Sequence, residues 1–372
     1  MRSCNRAIVN FSKLLPIFSS MNGIIKPLYS VAVAAIVSAA VSCSSDKERD
    51  VYLKSLDLEI ETLSYADSLN IDQYDLFQAN SVVKTKDDWL ILSTTKGDYH
   101  LLFINLAKPE EHFFGLRRGR GPGEMVQGDR IHKRGEYAYL YDVNNATCIR
   151  IDCLETIRQK TIVADTVGIF TQGTSKPVYM TTCGEDGFIS GNMSDLSMWY
   201  SYYDAHGNIL SNVPKFKCDG IQDEERLFSL MMSTFYVSNP AGTKVCVASV
   251  LTPSLSFSDV YSGILTEYRR YELAESESDY SYFMPDAKSR FNGISADDRN
   301  VFLIYSGRKL RNDVLPVDEC VDLIVYDWDG TPVRHFKLNR NVSSIHIDCD
   351  DLWCTSTYPE SCVYRFKLPP LK

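Results

Sequence analysis

The densest chemistry in the chain is the segment Leu116-Arg-Arg-Gly-Arg-Gly-Pro-Gly-Glu-Met125. Glycines at 119, 121 and 123 open the backbone, and three arginines surround them. Bare N–H groups and guanidinium forks suit a phosphate or carboxylate. The candidate anion-binding or ligand-binding set is therefore Arg117, Arg118, Gly119, Arg120, Gly121, Gly123 and Glu124, with Arg130 just beyond. No Gly-Lys-Ser/Thr follows, so this is not a nucleotide P-loop. Glu124 stands where a dinucleotide fingerprint needs its last glycine. The competing reading, and the favoured one, is a tight turn between repeated units, with Glu124 tying Arg117, Arg118 or Arg120.

No other cluster points to a reaction. Gly-x-Ser-x-Gly and His-Glu-x-x-His are absent from the sequence. The six histidines are scattered: His100, His335 and His346 fall inside apparent strands, while His132 follows the glycine-rich loop and could share a face with Arg130. No catalytic residue is assigned. No His or Cys pair has zinc-ligand spacing, so no metal and no cofactor is expected. Asp327-Trp-Asp-Gly330 lacks the further oxygens of a calcium loop and reads as a hairpin turn. Asp348, Asp350 and Asp351 read as a solvated turn. The aromatic runs Trp199-Tyr-Ser-Tyr-Tyr203 and Tyr280-Ser-Tyr-Phe283 could stack on sugars or peptides, but aromatic packing in a β core is the simpler role.

The first forty-three residues have an address rather than a chemistry. They contain Arg2, Arg6, Lys13 and Lys26 and no acid, and they end in the apolar run Val31–Val41. A basic n-region, a short apolar stretch and small residues at the cut describe a secretory signal. The run is too short for a membrane span, which needs about 20 apolar residues. Ala40-Val-Ser-Cys43 resembles a bacterial lipobox, although Leu is usual where Ala40 stands. The expectation is a signal peptide over 1–43 and lipid on Cys43, then a polar tether over 44–54. Several acyl chains at one residue anchor stably, at about 0.8 kcal/mol per buried CH₂. The expected partner is thus a lipid bilayer, and the expected location a bacterial outer membrane, periplasmic or surface-exposed.

Removing residues 1–43 leaves 35 Lys+Arg against 48 Asp+Glu, a formal charge of −13. Tracking nucleic-acid phosphates requires a cationic surface, so no nucleic acid is expected. Nine cysteines remain. An odd number at irregular spacing in a large domain points to buried small hydrophobes, with Cys148/Cys153 and Cys349/Cys354 as local bridging candidates.

The elements that must position these residues read as strand after strand. Short alternating or apolar runs are bounded by Gly, Asn, Asp and Pro. About six units recur, near 79–116, 131–163, 178–216, 236–273, 290–338 and 343–368. Asp followed shortly by Gly or Asn marks their turns, as in Tyr326-Asp-Trp-Asp-Gly330, with echoes at Tyr202–Leu210 and Tyr139–Asn145. The best helical candidate is Asp223–Met232. Repeated four-stranded units imply an all-β propeller over 55–372. Leu56–Leu63 alternates correctly to close the ring by completing the last unit.

Gly119-Arg-Gly-Pro-Gly-Glu124, Tyr326-Asp-Trp-Asp-Gly-Thr-Pro-Val333 and Ile345-His-Ile-Asp-Cys-Asp-Asp-Leu-Trp353 resemble the TolB-like six-bladed propeller lipoproteins of Bacteroides-type bacteria. The resemblance implies a six-bladed fold and export. It implies no reaction and supplies no catalytic residues. The expected function is a monomeric, non-catalytic binding or scaffolding module for a protein, peptide or glycan at the envelope. The alternative is an envelope lyase, lactonase or glycan hydrolase with its site in the propeller channel.

Overall fold

Trp89–Ser93 and Leu323–Tyr326 are buried along their whole length, so neither can be a half-solvated strand. Strands covered on both faces need sheets packed on both sides, and six sheets arranged radially supply that. The computed structural model describes residues 51–372 except 75, 77, 95, 129, 171–176, 178, 192–194, 216–232, 253, 273–287, 310–321, 357–360 and 372. Cys43, Asp223–Met232, Tyr280–Phe283, Cys218 and Cys320 lie outside the described residues. The chain divides after Asp57. A short helix, α1 (Val51–Ser55), belongs to the first unit, and the sheets all belong to the second, Leu58–Lys372.

In chain order the strands are β1 (Ile60–Leu63) and β2 (Tyr65–Asn70), then five consecutive groups of four. Blade I has β3 (Ser81–Lys84), β4 (Trp89–Ser93), β5 (Tyr99–Asn105) and β6 (His112–Arg117). Blade II has β7 (His132–Arg134), β8 (Tyr137–Asp142), β9 (Thr147–Asp152) and β10 (Ala164–Ile169). Blade III has β11 (Met180–Cys183), β12 (Gly187–Ser190), β13 (Met198–Tyr203) and β14 (Ile209–Pro214). Blade IV has β15 (Thr234–Ser238), β16 (Lys244–Ser249), β17 (Leu255–Tyr261) and β18 (Ile264–Tyr271). Blade V has β19 (Lys288–Ala296), β20 (Asn300–Lys309), β21 (Asp322–Asp327) and β22 (Pro332–Leu338). Blade VI has β23 (Ser344–Asp348), β24 (Asp351–Ser356) and β25 (Cys362–Lys367), and β2 pairs with β25 as its fourth strand. The fold is an all-β six-bladed propeller.

Ring closure differs from the expectation. The Leu56–Leu63 region does not complete the last blade. Its strand β1 pairs in parallel with β22, as a fifth strand of blade V, with Ile60 opposite His335. Closure falls to β2, which runs antiparallel to β25. The reason is burial: an outermost strand is mostly solvated, and β2 carries almost no apolar alternation to read. The same effect hid β10, which extends blade II past residue 163.

The core lies between blades as a set of wedges. Ile91 and Phe103 of blade I and Met125 of the connection meet Leu140 and Ile151 of blade II. Tyr141 and Cys148 of blade II meet Phe170, Phe188 and Tyr203. Trp199 and Tyr200 of blade III pack with Val245 and Val260 of blade IV. Blades V and VI share Phe302, Phe336, Leu352 and Phe366. Trp353 of blade VI packs with Val82 and Leu90 of blade I. The run Trp199–Tyr203 is buried throughout, so it is interior packing and not a stacking platform.

The Asp-headed turns recur as expected after the third strand of a blade. Oδ1 of Asp327 accepts from the N–H groups of Asp329 (3.0 Å) and Thr331 (2.7 Å). Asp204 does the same for His206 (2.9 Å) and Asn208 (2.8 Å). The echo at Tyr139–Asn145 is out of register: it joins the second and third strands of blade II, not the third and fourth. A short helix, α2 (Cys153–Gln159), was not foreseen. Its signal was present in Asp152-x-x-Glu155: the Asp152 carboxylate caps the Glu155 N–H at 2.9 Å.

The cysteines behave as strand packing. Cys148, Cys153, Cys183, Cys246, Cys349, Cys354 and Cys362 are free thiols, so neither local bridge forms. Burial pushes Cys148, Cys153 and Cys183 up to about 12, which keeps them as inert thiols. Cys349 alone of these is exposed, in a turn with φ +56°.

Candidate functional site

The first strand of each blade is an edge strand, and these edges surround the propeller axis. Successive inner strands lie against one another but belong to separate sheets and share no ladder. Their polar edges face a central channel of ≈ 290 Å³ to which all six blades contribute. Buried polar groups need partners, and side chains, with one backbone pair, supply them from blade to blade. Ser81 of blade I accepts the Ile131 N–H at 2.9 Å. His132 of blade II accepts the Thr182 N–H at 3.1 Å through Nε2. Ser238 of blade IV donates to the Thr182 carbonyl at 2.7 Å. The Arg290 N–H of blade V donates to the Val250 carbonyl at 2.6 Å. Ser295 of blade V accepts the Ile347 N–H at 3.0 Å. Blades VI and I meet where the His346 ring lies on the Lys84 carbonyl.

Two histidines therefore sit in the channel wall. Because a backbone N–H can only donate, His132 Nε2 is the lone-pair nitrogen and the ring is neutral. It stacks on Tyr139 with centroids 5.3 Å apart. Burial, helped by Arg134, lowers His132 to about 4. Burial, helped by Lys133, lowers His346 to about 3. Neither is poised to exchange a proton near neutrality.

The basic run Arg130-Ile-His-Lys-Arg134 lines one wall of the channel, and Asp297, Asp298 and Asp348 lie on blades V and VI. Several of these groups have structural duties. Arg134 clamps carbonyls of Gly184, Pro240 (3.3 Å) and Ala241 (3.5 Å), joining blade II to blades III and IV. Asp297 caps the turn before β20 through the N–H groups of Arg299 (2.7 Å) and Asn300 (2.6 Å). Arg130 lies over the Phe235 ring, 3.8 Å from its centroid.

The sequence-derived loop residues divide into two places. Arg130 and His132 both line the channel. Arg117 ends β6, and Arg118 to Glu124 lie in the connection from blade I to blade II instead. Arg118 wraps onto backbone, donating to Gly97 O (2.9 Å) and Thr94 O (2.8 Å). Glu124 does not tie an arginine: its carboxylate accepts the Gly121 N–H at 2.8 Å, filling the cradle from within. A Cβ at Gly119 would collide with that carboxylate, which explains the glycine. Gly123 needs its φ of +76° for the turn. The connection is held at its far end by His100, whose Nε2 lies 2.9 Å from the Met125 carbonyl, and by the buried Asp142, which accepts the Val126 N–H at 3.0 Å. Arg117 and Arg120 are exposed, with no ion pair among the described residues.

What sequence reasoning missed is Lys133 and Ser81. Both gain significance from the ring, because only the closed propeller brings β3 between β7 and β23. Within the sequence they read as ordinary strand residues.

A family model described as TolB-like 6-blade propeller-like matches residues 66–350. Among solved structures, hydrazine synthase from Kuenenia stuttgartiensis aligns at 10% identity with a TM-score of 0.50, covering 80% of this chain and 97% of that one. The calcium-binding protein regucalcin from Agrobacterium tumefaciens aligns at 10% identity with a TM-score of 0.48, covering 84% and 98%. A protein described as a putative exported protein from Bacteroides fragilis aligns at 12% identity with a TM-score of 0.48, covering 87% and 98%. No curated protein matches the sequence.

Proposed function

The chain belongs to the TolB-like 6-blade propeller family, and from that premise we propose that it is a non-catalytic binding or scaffolding module, anchored by lipid on Cys43 at a bacterial outer membrane. Its ligand is a peptide, protein or glycan of the envelope, and its seat includes the central channel. One observation carries this reading: the channel gathers residues from all six blades while its histidines and several of its charges serve as joints of the ring. A channel built this way is rigid and pre-formed, which suits recognition. The same observation weighs against a lyase, lactonase or glycan hydrolase, because the two histidines in the wall are held neutral by burial. Fold alone does not decide function.

The test has two arms. The full-length chain is displayed on an array of defined envelope oligosaccharides and peptides. Saturable retention of one of them, with the ligand recovered intact, is expected. Recovery of a cleaved or rearranged ligand overturns the non-catalytic reading, and retention of none overturns the binding reading. Mass spectrometry of the mature N-terminus is expected to show acylated Cys43, and a bare thiol there removes the anchor.

A further inference from the structure

Exposed apolar side chains need no explanation when they are scattered singly. Four in this chain recur at equivalent places of consecutive blades. Each place is the connection from a blade's third strand to its fourth. Leu154 stands on α2, which makes that connection in blade II. Leu210 is the second residue of β14, just past the connection of blade III. Tyr261 and Ile264 flank the two-residue turn of blade IV and pair across it. All four are more than half exposed. The blade IV turn is fixed in place: Leu210 lies against Gly263, while Ser211 donates to the Gly263 carbonyl (3.0 Å) and accepts the Leu265 N–H (2.9 Å). Because the blades repeat around one axis, these connections share one face of the ring.

The next connection on that face, residues 328–331 of blade V, is where the chain arrives. β1 runs parallel to β22 with Ile60 opposite His335, so the residues before Ile60 approach from the side of that connection. Residues 44–57 separate Cys43 from the ring, and five of them form α1, which limits their reach to roughly 40 Å at most. To turn the other face toward a membrane, so short a tether has to pass round the rim. Charges along this arc are matched to one another: Glu155 with Arg158, Asp259 and Asp329 with Lys244, and Glu61 with Arg334. What the arc offers is therefore apolar contact, and the lipid surface that fits it carries no net charge. Spread over three blades, the four side chains make too little continuous area for a stable dimer, which buries about 800 Å² per partner. A bilayer takes up such side chains one by one, and tyrosine suits its headgroup level. We propose that the arc from blade II to blade IV rests on a zwitterionic lipid surface, with Tyr261 and Ile264 inserted among the headgroups. The proposal rests on the anchor at Cys43.

Hydroxyl-radical footprinting of the full-length mature chain on phosphatidylcholine vesicles, collected by flotation, tests this. Tyr99 is the internal reference, because it begins β5 at the opposite end of its blade. Tyr261 is 81% exposed and Tyr99 38%, so without membrane contact Tyr261 is oxidised first. On vesicles that order is expected to reverse. Ile264→Asp is expected to restore it with an unchanged melting temperature. Tyr261 still oxidised ahead of Tyr99 on floated vesicles overturns the proposal. So does a reversal that disappears when the chain is diluted to less than one copy per vesicle, which identifies a second copy as the occupant. Mass spectrometry of the same sample separates the two readings. An acylated chain that floats without the reversal loses this face and keeps the anchor. A bare Cys43 thiol with the reversal loses the anchor and keeps the face, and a bare thiol on a chain that does not float overturns both.

Discussion

Burial makes His132 and His346 poor proton acceptors in the folded chain, whereas unfolding returns both rings to an ordinary value near 6.5. The unfolded state therefore binds more protons as pH falls below about 6.5, and the folded state is penalised. Their contribution to stability is complete above that value and declines toward about 4 for His132 and about 3 for His346. The expected outcome is a urea midpoint that falls between pH 7 and pH 5, at up to about 1.4 kcal/mol per pH unit for each ring. His132→Gln keeps an acceptor for the Thr182 N–H without titrating, so its midpoint is expected to fall less over the same interval. An identical slope in the variant would remove His132 from the account. The basic groups acting on these rings are Arg134 for His132, and Lys133 and Lys84 for His346. At this scale the sequence offered His132 and Arg130 as residues that could share a face, and could not show that one accepts a backbone N–H while the other lies over Phe235.

Single strands and turns show why some elements were readable and others were not. The middle strands of each blade are covered by neighbouring blades, so β4, β20 and β21 appear in sequence as unbroken apolar runs. The outer strands β2 and β10 face water and leave hardly any pattern. Turn chemistry was readable where a side chain caps the backbone, as at Asp327 and Asp204, because that signal is local. The Arg134 clamp was not readable, since its acceptors lie 50 and more residues away. Arg134→Met is expected to lower stability by about 1–3 kcal/mol. Gly242, at φ +68°, sits where a Cβ would collide with the Gly184 backbone. Gly242→Ala is expected to destabilise the same corner by a comparable amount. Thermal melts of both variants check this, and amide exchange is expected to rise first around Gly184, whose N–H donates to the Gly242 carbonyl at 3.0 Å. Protection there unchanged in both variants would show that the clamp does not hold the corner.

The Leu58–Lys372 unit is a ring whose closure joins residues 65–70 to 362–367. Loop closure over nearly the full chain makes this contact slow to form and the last to be rewarded. Until it forms, β25 presents an unpaired edge, a template for association with other chains. A chain starting at residue 71 is expected to melt lower and less cooperatively than one starting at Leu58, and to form dimers or larger species by size exclusion. Equal melting of the two would show that blade VI is stable without β2. Six units and an N-terminal closing segment were legible from spacing alone. Which of two adjacent strands closes the ring was not, because that choice is made by register against β22 and β25, which are distant in sequence.

The parallel strand β1 has a mechanical consequence. Any pull reaching the propeller through the preceding chain, as an anchor at Cys43 would deliver it, arrives first at four residues lying along β22. Those residues must detach from blade V before the load can reach β2. The ion pair between Glu61 and Arg334 adds to that attachment. The first strand is thus a strain relief, like the clamp that grips a cable before its soldered joint. In a single-molecule experiment the propeller should yield in two steps: a small early release from β1, then the opening of the ring.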